Sequence, residues 1–109
     1  MKFHMIAGGP KPVAPFSHAV ETDGFVFVTG QMPDTPATPG ILPDGIVAQT
    51  RAVMENLRIV LAGLDLGFAH IVMTRIYLTR FKQDYTAMNE TTGLAYDALI
   101  EIDLVCRRG

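Results

Sequence analysis

A short apolar run, Gly24-Phe-Val-Phe-Val-Thr-Gly30, constrains the fold more than any other part of the sequence. It has the length of a β-strand, is rich in β-branched and aromatic residues, and ends in glycine on both sides. Phe25 and Phe27 would lie on one face of this strand. The opposite face, with Val26 and Val28, is apolar as well, so the strand must be covered on both sides. In a chain of 109 residues helices can cover one side, and the other side predicts contact with a second subunit.

Length and composition indicate a single globular domain spanning residues 1–109. The chain is 49% hydrophobic and 18% charged, which supplies enough apolar surface for one core but not for two. The formal charge of −2 argues against a broad nucleic-acid surface, which needs a basic face. The N-terminal residues do not form a signal-peptide pattern, and no window approaches the roughly 18 apolar residues of a membrane span. We therefore expect a cytoplasmic protein without a membrane partner.

Periodicity predicts a first helix from about residue 45 onward. The apolar residues at three- and four-residue spacing are Ile46, Val47, Val53, Met54, Leu57, Val60, Leu61 and Leu64. Asp44 is the predicted N-cap, and Gly63 or Gly67 the predicted left-handed stop. Arg51 and Glu55 are spaced to pair on the solvent face.

Two further strands and a second helix follow the first helix. Strands are predicted over 71–78 and 98–106, and the second of them alternates cleanly between two faces. Its predicted inward residues are Ile100, Ile102, Leu104 and Cys106. A shorter stripe of Phe81, Tyr85 and Met88 predicts the second helix. This order of elements fits an α+β sheet with both helices on one face.

Five motifs occur in order between residues 14 and 106. They are Ala14-Pro-Phe-Ser-His-Ala-Val20, Phe27-Val-Thr-Gly-Gln-Met-Pro33, Gln49-Thr-Arg-Ala-Val-Met-Glu-Asn-Leu57, Tyr77-Leu-Thr with Met88-Asn-Glu90, and Leu99-Ile-Glu-Ile-Asp103. Together they resemble the RidA/YjgF family, whose members are also labelled endoribonuclease L-PSP or translation inhibitor. The resemblance implies a chorismate-mutase-like subunit, with a mixed sheet and two helices on one face, that forms a homotrimer with a cleft at each interface. Its enzymes hydrolyse reactive imino or enamino acids to keto acids and ammonia, and no metal or organic cofactor is implied.

The sequence departs from the family pattern between Glu90 and Thr91. There the family has the end of its second helix and a strand with an Arg that binds the substrate carboxylate, so a segment of roughly 15–20 residues is missing. Arg75 is a candidate substitute, because a guanidinium can hold a carboxylate through two parallel hydrogen bonds. The alternative is that Arg75 is an ordinary strand arginine that reaches solvent or pairs with a carboxylate.

The resemblance also implies the candidate site residues. Glu101 matches the family's Glu that positions the attacking water or the substrate nitrogen, and is the candidate catalytic residue. Thr29 and Gly30 match the strand end that lines the cleft, where Gly30 permits close backbone approach. Phe16 stands where many members have Tyr and could wall the pocket without offering a hydroxyl. Asn89 matches an Asn near the pocket.

Each candidate also has a purely structural interpretation. Glu101 could be a solvent-facing acid of an edge strand, and Phe16 a core aromatic residue. Gly30 could simply close its strand, and Asn89 could cap the second helix. Cys106 is predicted to be a small core residue.

The remaining polar residues carry no predicted metal or catalytic role. The histidines His4, His18 and His70 lack metal-ligand spacing. His18 is predicted at a strand end or the surface, and the alternative is a position near the cleft, because it follows the Pro-Phe motif. The final pair, Arg107-Arg108, is predicted to be a solvated tail.

These observations predict a hydrolytic deaminase of small 2-imino or enamino acids. One alternative is a non-catalytic trimer whose cleft binds a small carboxylate, which is favoured by Phe16 and by the missing Arg. Another is an endoribonuclease, against which the acidic pI of about 5.8 weighs. The expected partners are two further copies of the chain and a small imino or enamino acid.

Overall fold

A computed structural model describes residues 1–9, 17–34, 41–79 and 100–109. Its strands are β1 (Lys2–His4), β2 (Ala19–Thr22), β3 (Phe25–Gln31), β4 (Ile71–Leu78) and β5 (Ile100–Arg107). The long helix α1 (Gly45–Gly63) follows β3 and precedes a 3₁₀ turn at Phe68–His70 that leads into β4. The α+β class and the three predicted strands are confirmed. The predicted second helix at Phe81, Tyr85 and Met88, and the predicted missing segment after Glu90, lie outside the described residues.

The strands form one sheet in the order β1-β2-β3-β5-β4. Every pairing among the described strands is antiparallel, so the expected mixed sheet is not found in this part of the chain. The reason is that β5 runs back between β3 and β4, which would otherwise be parallel neighbours joined by the α1 crossover. The last described strand therefore lies inside the sheet, one position from the β4 edge of its described part.

A tight hairpin joins β2 to β3. Asp23 has φ of 52° and Gly24 has φ of 80°, the backbone of a two-residue turn that matches the twist of the strands. Neither β1 nor β2 was predicted from the sequence, although Asp-Gly before an alternating run is a strong hairpin signal. β1 is only three residues long and carries no period of its own.

The core lies between α1 and one face of the sheet. The four predicted inward residues of β5 are all buried there, which confirms the alternation in that strand. They meet a helix stripe of Val53, Leu57, Val60 and Leu61, together with Leu64 directly after the helix. Val47 and Met54 were predicted in the same stripe but are exposed, because the contact face of α1 is narrower than its apolar sequence pattern.

The ends of α1 differ in detail from the prediction. Asp44 occupies the N-cap position, but its side chain makes no capping hydrogen bond. The left-handed residue after the helix is Asp65, with φ of 58°, and neither Gly63 nor Gly67 takes that role. A Cβ atom at Gly63 would overlap Cγ2 of Ile6, so this glycine makes room for the N-terminal segment.

Two predictions about charged side chains are wrong. Glu55 pairs with Arg58, three residues onward, where a pair with Arg51 was expected. The final arginines are not a solvated tail. The Arg107 guanidinium lies 4.8 Å above the Phe25 ring and donates to the Asp23 carbonyl, while Arg108 is bound within the fold.

None of the described residues covers the sheet face opposite α1. In β3, Val26 and Val28 are buried against the helix, whereas Phe25 is 39% and Phe27 47% exposed. This is the arrangement predicted for a strand with two apolar faces. Among the described residues, no helix is both long and apolar enough to cross a bilayer.

Candidate functional site

A β-bulge interrupts the pairing of β3 with β5. Val28 pairs with Leu104 and Gln31 with Ile102, so three steps along β3 match only two along β5. Thr29 and Gly30 therefore lie in the bulge, between the two residues of β3 that keep regular pairing with β5. Such bulges bend a strand locally and redirect the side chains near them.

Hydrogen bonds hold the bulge in place. The Thr29 amide donates to the His18 carbonyl at 2.9 Å, and its hydroxyl donates to the Ser17 carbonyl at 2.5 Å. The Gln31 side chain, which is buried, donates from Nε2 to the Thr29 carbonyl at 2.9 Å. The bulge is thus fixed to the segment before β2 and by a side chain of its own strand.

Glu101 lies directly against Gly30. A Cβ atom at Gly30 would overlap Oε1 of Glu101 and would lie 2.6 Å from Cδ and 2.8 Å from Cγ. The carboxyl group therefore occupies the space that any other residue at position 30 would fill. The residue of β4 that pairs with Glu101 is Tyr77.

The environment of Glu101 favours its neutral form. Burial raises the pKa of the Glu101 carboxyl above its ordinary value of 4.5, and the negative charge of Asp103 raises it further. The positive charge of Arg75 acts in the opposite direction. A carboxyl group with a raised pKa can accept and return a proton closer to neutral pH.

Arg75 and Asp103 form a cross-strand ion pair next to this carboxyl group. They are direct partners in the β4–β5 register, and Nε of Arg75 lies 2.9 Å from Oδ1 of Asp103. The Arg75 side chain is 60% exposed, so its guanidinium is accessible to solvent. The prediction that Arg75 is a strand arginine paired with a carboxylate is confirmed.

An open cavity of about 290 Å³ lies on this face of the sheet. Its polar lining comes from Thr29, Gly30, Arg75 and Asp103, and apolar lining residues include Phe27 and Val105. The bulge thus forms part of the cavity wall and also supports Glu101.

Three of the predicted site residues are brought together by the fold. Thr29, Gly30 and Glu101 meet at the bulge, while Phe16 and Asn89 lie outside the described residues. Gln31 was not predicted, although a polar residue directly after the bulge glycine was a visible signal. His18 is buried at the start of β2, where its Nδ1 accepts the Ile6 amide at 2.8 Å, so its surface prediction is wrong and its strand-end prediction is confirmed.

The described residues offer no metal centre, since no group of three or more His, Cys, Asp or Glu among them could hold an ion. Cys106 is fully buried, and burial raises the pKa of its thiol. A buried thiol with a raised pKa has little thiolate at neutral pH, so the prediction of a core residue is confirmed.

Comparison with known proteins assigns the chain to a family. A family model described as Endoribonuclease L-PSP matches residues 7–106, and the fold matches the E. coli YjgF structure with a TM-score of 0.86. The chain belongs to the RidA/YjgF family. The YjgF match covers 100% of both chains at 22% identity. The chain is also similar in fold to E. coli TdcF, solved with bound serine, at a TM-score of 0.84 and 23% identity over 97% of this chain and 99% of TdcF.

Relatives of this RidA/YjgF chain include proteins from distant organisms. Protein DfrA of Myxococcus xanthus is 42% identical over 86 residues, which cover 77% of this chain and 65% of DfrA. A RutC family protein of Pyrococcus horikoshii is 35% identical over 81 residues, covering 74% of this chain and 64% of that protein. The chain thus spans just under two thirds of the length of these relatives.

Proposed function

We propose that this protein hydrolyses small reactive 2-imino or enamino acids to keto acids and ammonia. The observation that carries the proposal is the Glu101 carboxyl, which has a raised pKa from its burial and lies against Gly30, a residue that lines the open cavity. Hydrolysis of an imine needs a group that can take a proton from water and return it to nitrogen. The raised pKa of Glu101 suits both roles, and its contact with Gly30 puts it behind one part of the cavity wall.

The reaction requires two rounds of proton transfer through Glu101. In the first, the Glu101 carboxylate accepts a proton from water as the water oxygen bonds to the imine carbon, and the C=N double bond becomes a single bond. The protonated Glu101 returns this proton to the nitrogen, which gives a carbinolamine. In the second, Glu101 takes the proton of the carbinolamine hydroxyl and delivers it to the amine. The C–N bond breaks, ammonia leaves, and the carbon keeps the oxygen as the carbonyl of a keto acid. Enamino acids enter the same path after tautomerising to imines.

The size of the cavity and a structural relative support this substrate class. About 290 Å³ is enough for a small amino-acid derivative but is at the lower end for larger ligands. TdcF, which has the same fold, was solved with bound serine, an amino acid of the proposed size. The proposed substrates differ from amino acids mainly at the nitrogen and the α-carbon.

We further propose that the chain acts as a homotrimer with its sites at the subunit seams. The face of the sheet that carries Glu101 also carries exposed apolar residues, among them Phe25 and Phe27 in β3, and Met73 in β4. Contiguous apolar surface of this kind favours association. A neighbouring copy seated on this face would enclose the open side of the cavity around the bound imine and the attacking water.

The deaminase proposal is tested by coupling the purified protein to a threonine dehydratase and following the lifetime of the released 2-imino acid. We expect the protein to shorten that lifetime relative to buffer, and Glu101→Gln to reduce the rate constant about 10²–10⁴-fold, the usual contribution of a general acid–base group. Glu55→Gln makes the same change on the exposed face of α1 and should keep full activity. An unchanged imine lifetime with the wild-type protein would exclude the deaminase.

The assembly proposal is tested by sedimentation of two matched variants. We expect the wild-type protein to sediment at three times its chain mass of 11.9 kDa. Phe27→Glu places a charge on the uncovered sheet face and should yield monomers. Phe68→Glu, at a comparably exposed phenylalanine in the 3₁₀ turn, should leave the trimer intact. A wild-type monomer in dilute solution would overturn the proposal.

The ion pair between Arg75 and Asp103 favours one second candidate function. Because Asp103 already neutralises Arg75, the described part of the cavity has no strong excess of positive charge to hold a reacting carboxylate. A non-catalytic trimer that binds a small carboxylate weakly would fit this arrangement. Ligand binding measured by calorimetry, together with no effect on imine lifetime, would select this function. Because the Arg75–Asp103 pair leaves no excess positive charge, the described part of the cavity also lacks the basic surface that RNA phosphates require.

A further inference from the structure

We propose that Gly30 is a positioning residue whose role is to make room for the Glu101 carboxyl group, so that the β3 bulge sets the position of the candidate catalytic group. This inference deepens the proposed function and rests on it for its activity measurement. The sequence resemblance suggests a different role for Gly30, namely close approach of the backbone to the substrate. The two roles make different predictions.

The backbone conformation does not explain why position 30 is glycine. The described glycines with φ in the left-handed region are Gly8, Gly24, Gly45 and Gly109, and Gly30 is not among them. An alanine at position 30 would not be strained on that account. The remaining reason for a glycine here is the lack of room for a side chain, because the Glu101 carboxyl group occupies the position of the Cβ atom.

The atoms nearest to a Cβ atom at position 30 all belong to one side chain. The three atoms closest to a Cβ at this position are Oε1, Cδ and Cγ of Glu101. A glutamate side chain can rotate away at small cost, whereas a backbone clash would have to move the strand. A methyl group at position 30 should therefore leave the sheet intact and displace the carboxyl group.

The bulge cannot easily retreat to relieve this overlap. The Thr29 hydroxyl donates a hydrogen bond to the Ser17 carbonyl, and the Gln31 side-chain amide donates one to the Thr29 carbonyl. Gln31 is buried, so water does not compete for its hydrogen bond. The strand is thus the fixed partner and the Glu101 side chain is the movable one.

The test compares Gly30→Ala with Gly67→Ala. Gly67 has open space around the position of a Cβ atom and φ of −136°, so it is a matched control for the same substitution. In the imine-lifetime assay we expect Gly30→Ala to lower the rate constant at least about tenfold, since displacement of a catalytic group by 1 Å can cost up to 10²-fold. Gly67→Ala should match the wild type. Wild-type activity and an unchanged pH profile in Gly30→Ala would overturn the inference.

The pH profile separates positioning from substrate contact. If Gly30 positions Glu101, Gly30→Ala should move the midpoint of the pH–rate profile, because the displaced carboxyl is less buried. If Gly30 only contacts substrate, KM should rise while that midpoint stays in place, and this result would also overturn the inference.

A carboxyl titration by ¹³C NMR gives a measurement that needs no substrate. The Glu101 signal is assigned by its absence in Glu101→Gln. Its pKa should be raised in the wild type and should return toward the ordinary value of 4.5 in Gly30→Ala. The same pKa in both proteins would count against the inference even if the protein proves to have no deaminase activity. The failure of the proposed function and the failure of this inference are therefore distinguishable.

Unfolding experiments keep the inference testable if Gly30→Ala proves unstable. Any loss of stability caused by the overlap should disappear in a Glu101→Ala background, because the overlapping atoms are then gone. The double-mutant cycle should thus show coupling between positions 30 and 101. Equal destabilisation by Gly30→Ala in both backgrounds would show that the glycine serves the backbone and not Glu101.

Discussion

The guanidinium of Arg108 binds the carboxylate of Glu21 through two nitrogens, with Nε 2.8 Å from Oε2 and Nη2 3.1 Å from Oε1. The remaining terminal nitrogen, Nη1, donates to the Leu64 carbonyl at 2.8 Å, just after the end of α1. His4 approaches the same carboxylate at 3.1 Å. One arginine thus joins the end of β5 to β2 and to the C-terminal end of the helix.

Replacing Arg108 with Gln should destabilise the fold in a pH-dependent way. The hydrogen bonds from Arg108 lower the pKa of Glu21 below its ordinary value of 4.5. A carboxylate with a lowered folded-state pKa contributes stability above its unfolded-state pKa and loses it as the pH falls through the folded-state pKa. The difference in the free energy of unfolding between wild type and variant should therefore be largest above pH 4.5 and shrink in more acidic solution.

Urea unfolding at pH values from neutral to below 4.5 measures the difference in unfolding free energy between the wild type and Arg108→Gln. Arg58→Gln is the matched control, because the Glu55–Arg58 pair is more than half exposed and such pairs contribute little. Equal effects of the two substitutions at neutral pH would contradict the prediction.

Glu101→Gln should have the opposite pH dependence. Burial raises the pKa of Glu101 in the folded state, so ionisation of this carboxyl opposes folding. Its favourable contribution is complete below the unfolded-state pKa near 4.5 and is lost as the pH rises through the folded-state pKa. At neutral pH the Gln variant should thus be more stable than the wild type, and this advantage should vanish in acid. Denaturant melts at fixed protein concentration would show it, and a less stable variant at neutral pH would refute it.

Two valines of α1 should respond very differently to truncation. Val53 is fully buried against the sheet, whereas Val47 is 43% exposed. Val53→Ala should cost roughly 2 kcal/mol of stability, from two buried methyl groups and the cavity they leave. Val47→Ala should stay within about 0.5 kcal/mol of the wild type. Thermal or urea unfolding of both variants checks the orientation of the helix, and similar losses would indicate a rotated helix.

Asn56 should prove important for the loop that follows β3. This buried side chain donates from Nδ2 to the carbonyls of Met32 at 2.8 Å and Asp34 at 2.5 Å. Asn56→Ala leaves both acceptors without this donor and should cost about 1–3 kcal/mol. Asn56→Asp keeps the shape but turns a carboxylate toward two carbonyl oxygens, so it should cost more at neutral pH. The unfolding free energies decide this, with the exposed Glu55→Ala as control, and a milder effect of Asp than of Ala would contradict it.

The elements that sequence predicted well are those with a period of their own. β5 alternates residue by residue, and the central strand β3 is an unbroken apolar run, so both were visible without knowledge of their neighbours. β1 was not visible, because three residues carry no period and its pairing with β2 depends on the rest of the fold. The same is true of Arg108, whose partners lie 87 and 44 residues away along the chain.

The sequence supplied candidate site residues but not their geometry. The resemblance to a family suggested Thr29, Gly30 and Glu101, and the fold brings these three together. The overlap of Glu101 with the space at Gly30 could not be predicted, because it depends on a register shift between strands that are distant in sequence. Phe16 and Asn89, which were predicted on the same basis, stay predictions.

The alternation in β5 has a consequence for how such chains can diverge. The register of this strand, and with it the position of Glu101, is set by the residues that it pairs with on β3 and β4. A single insertion inside β5 would send the acidic residues beyond it toward the core and the aliphatic ones toward the opposite face. Sequence changes that keep the length of β5 therefore preserve the face that carries Glu101, whereas a one-residue change in its length would reverse the two faces from that point on.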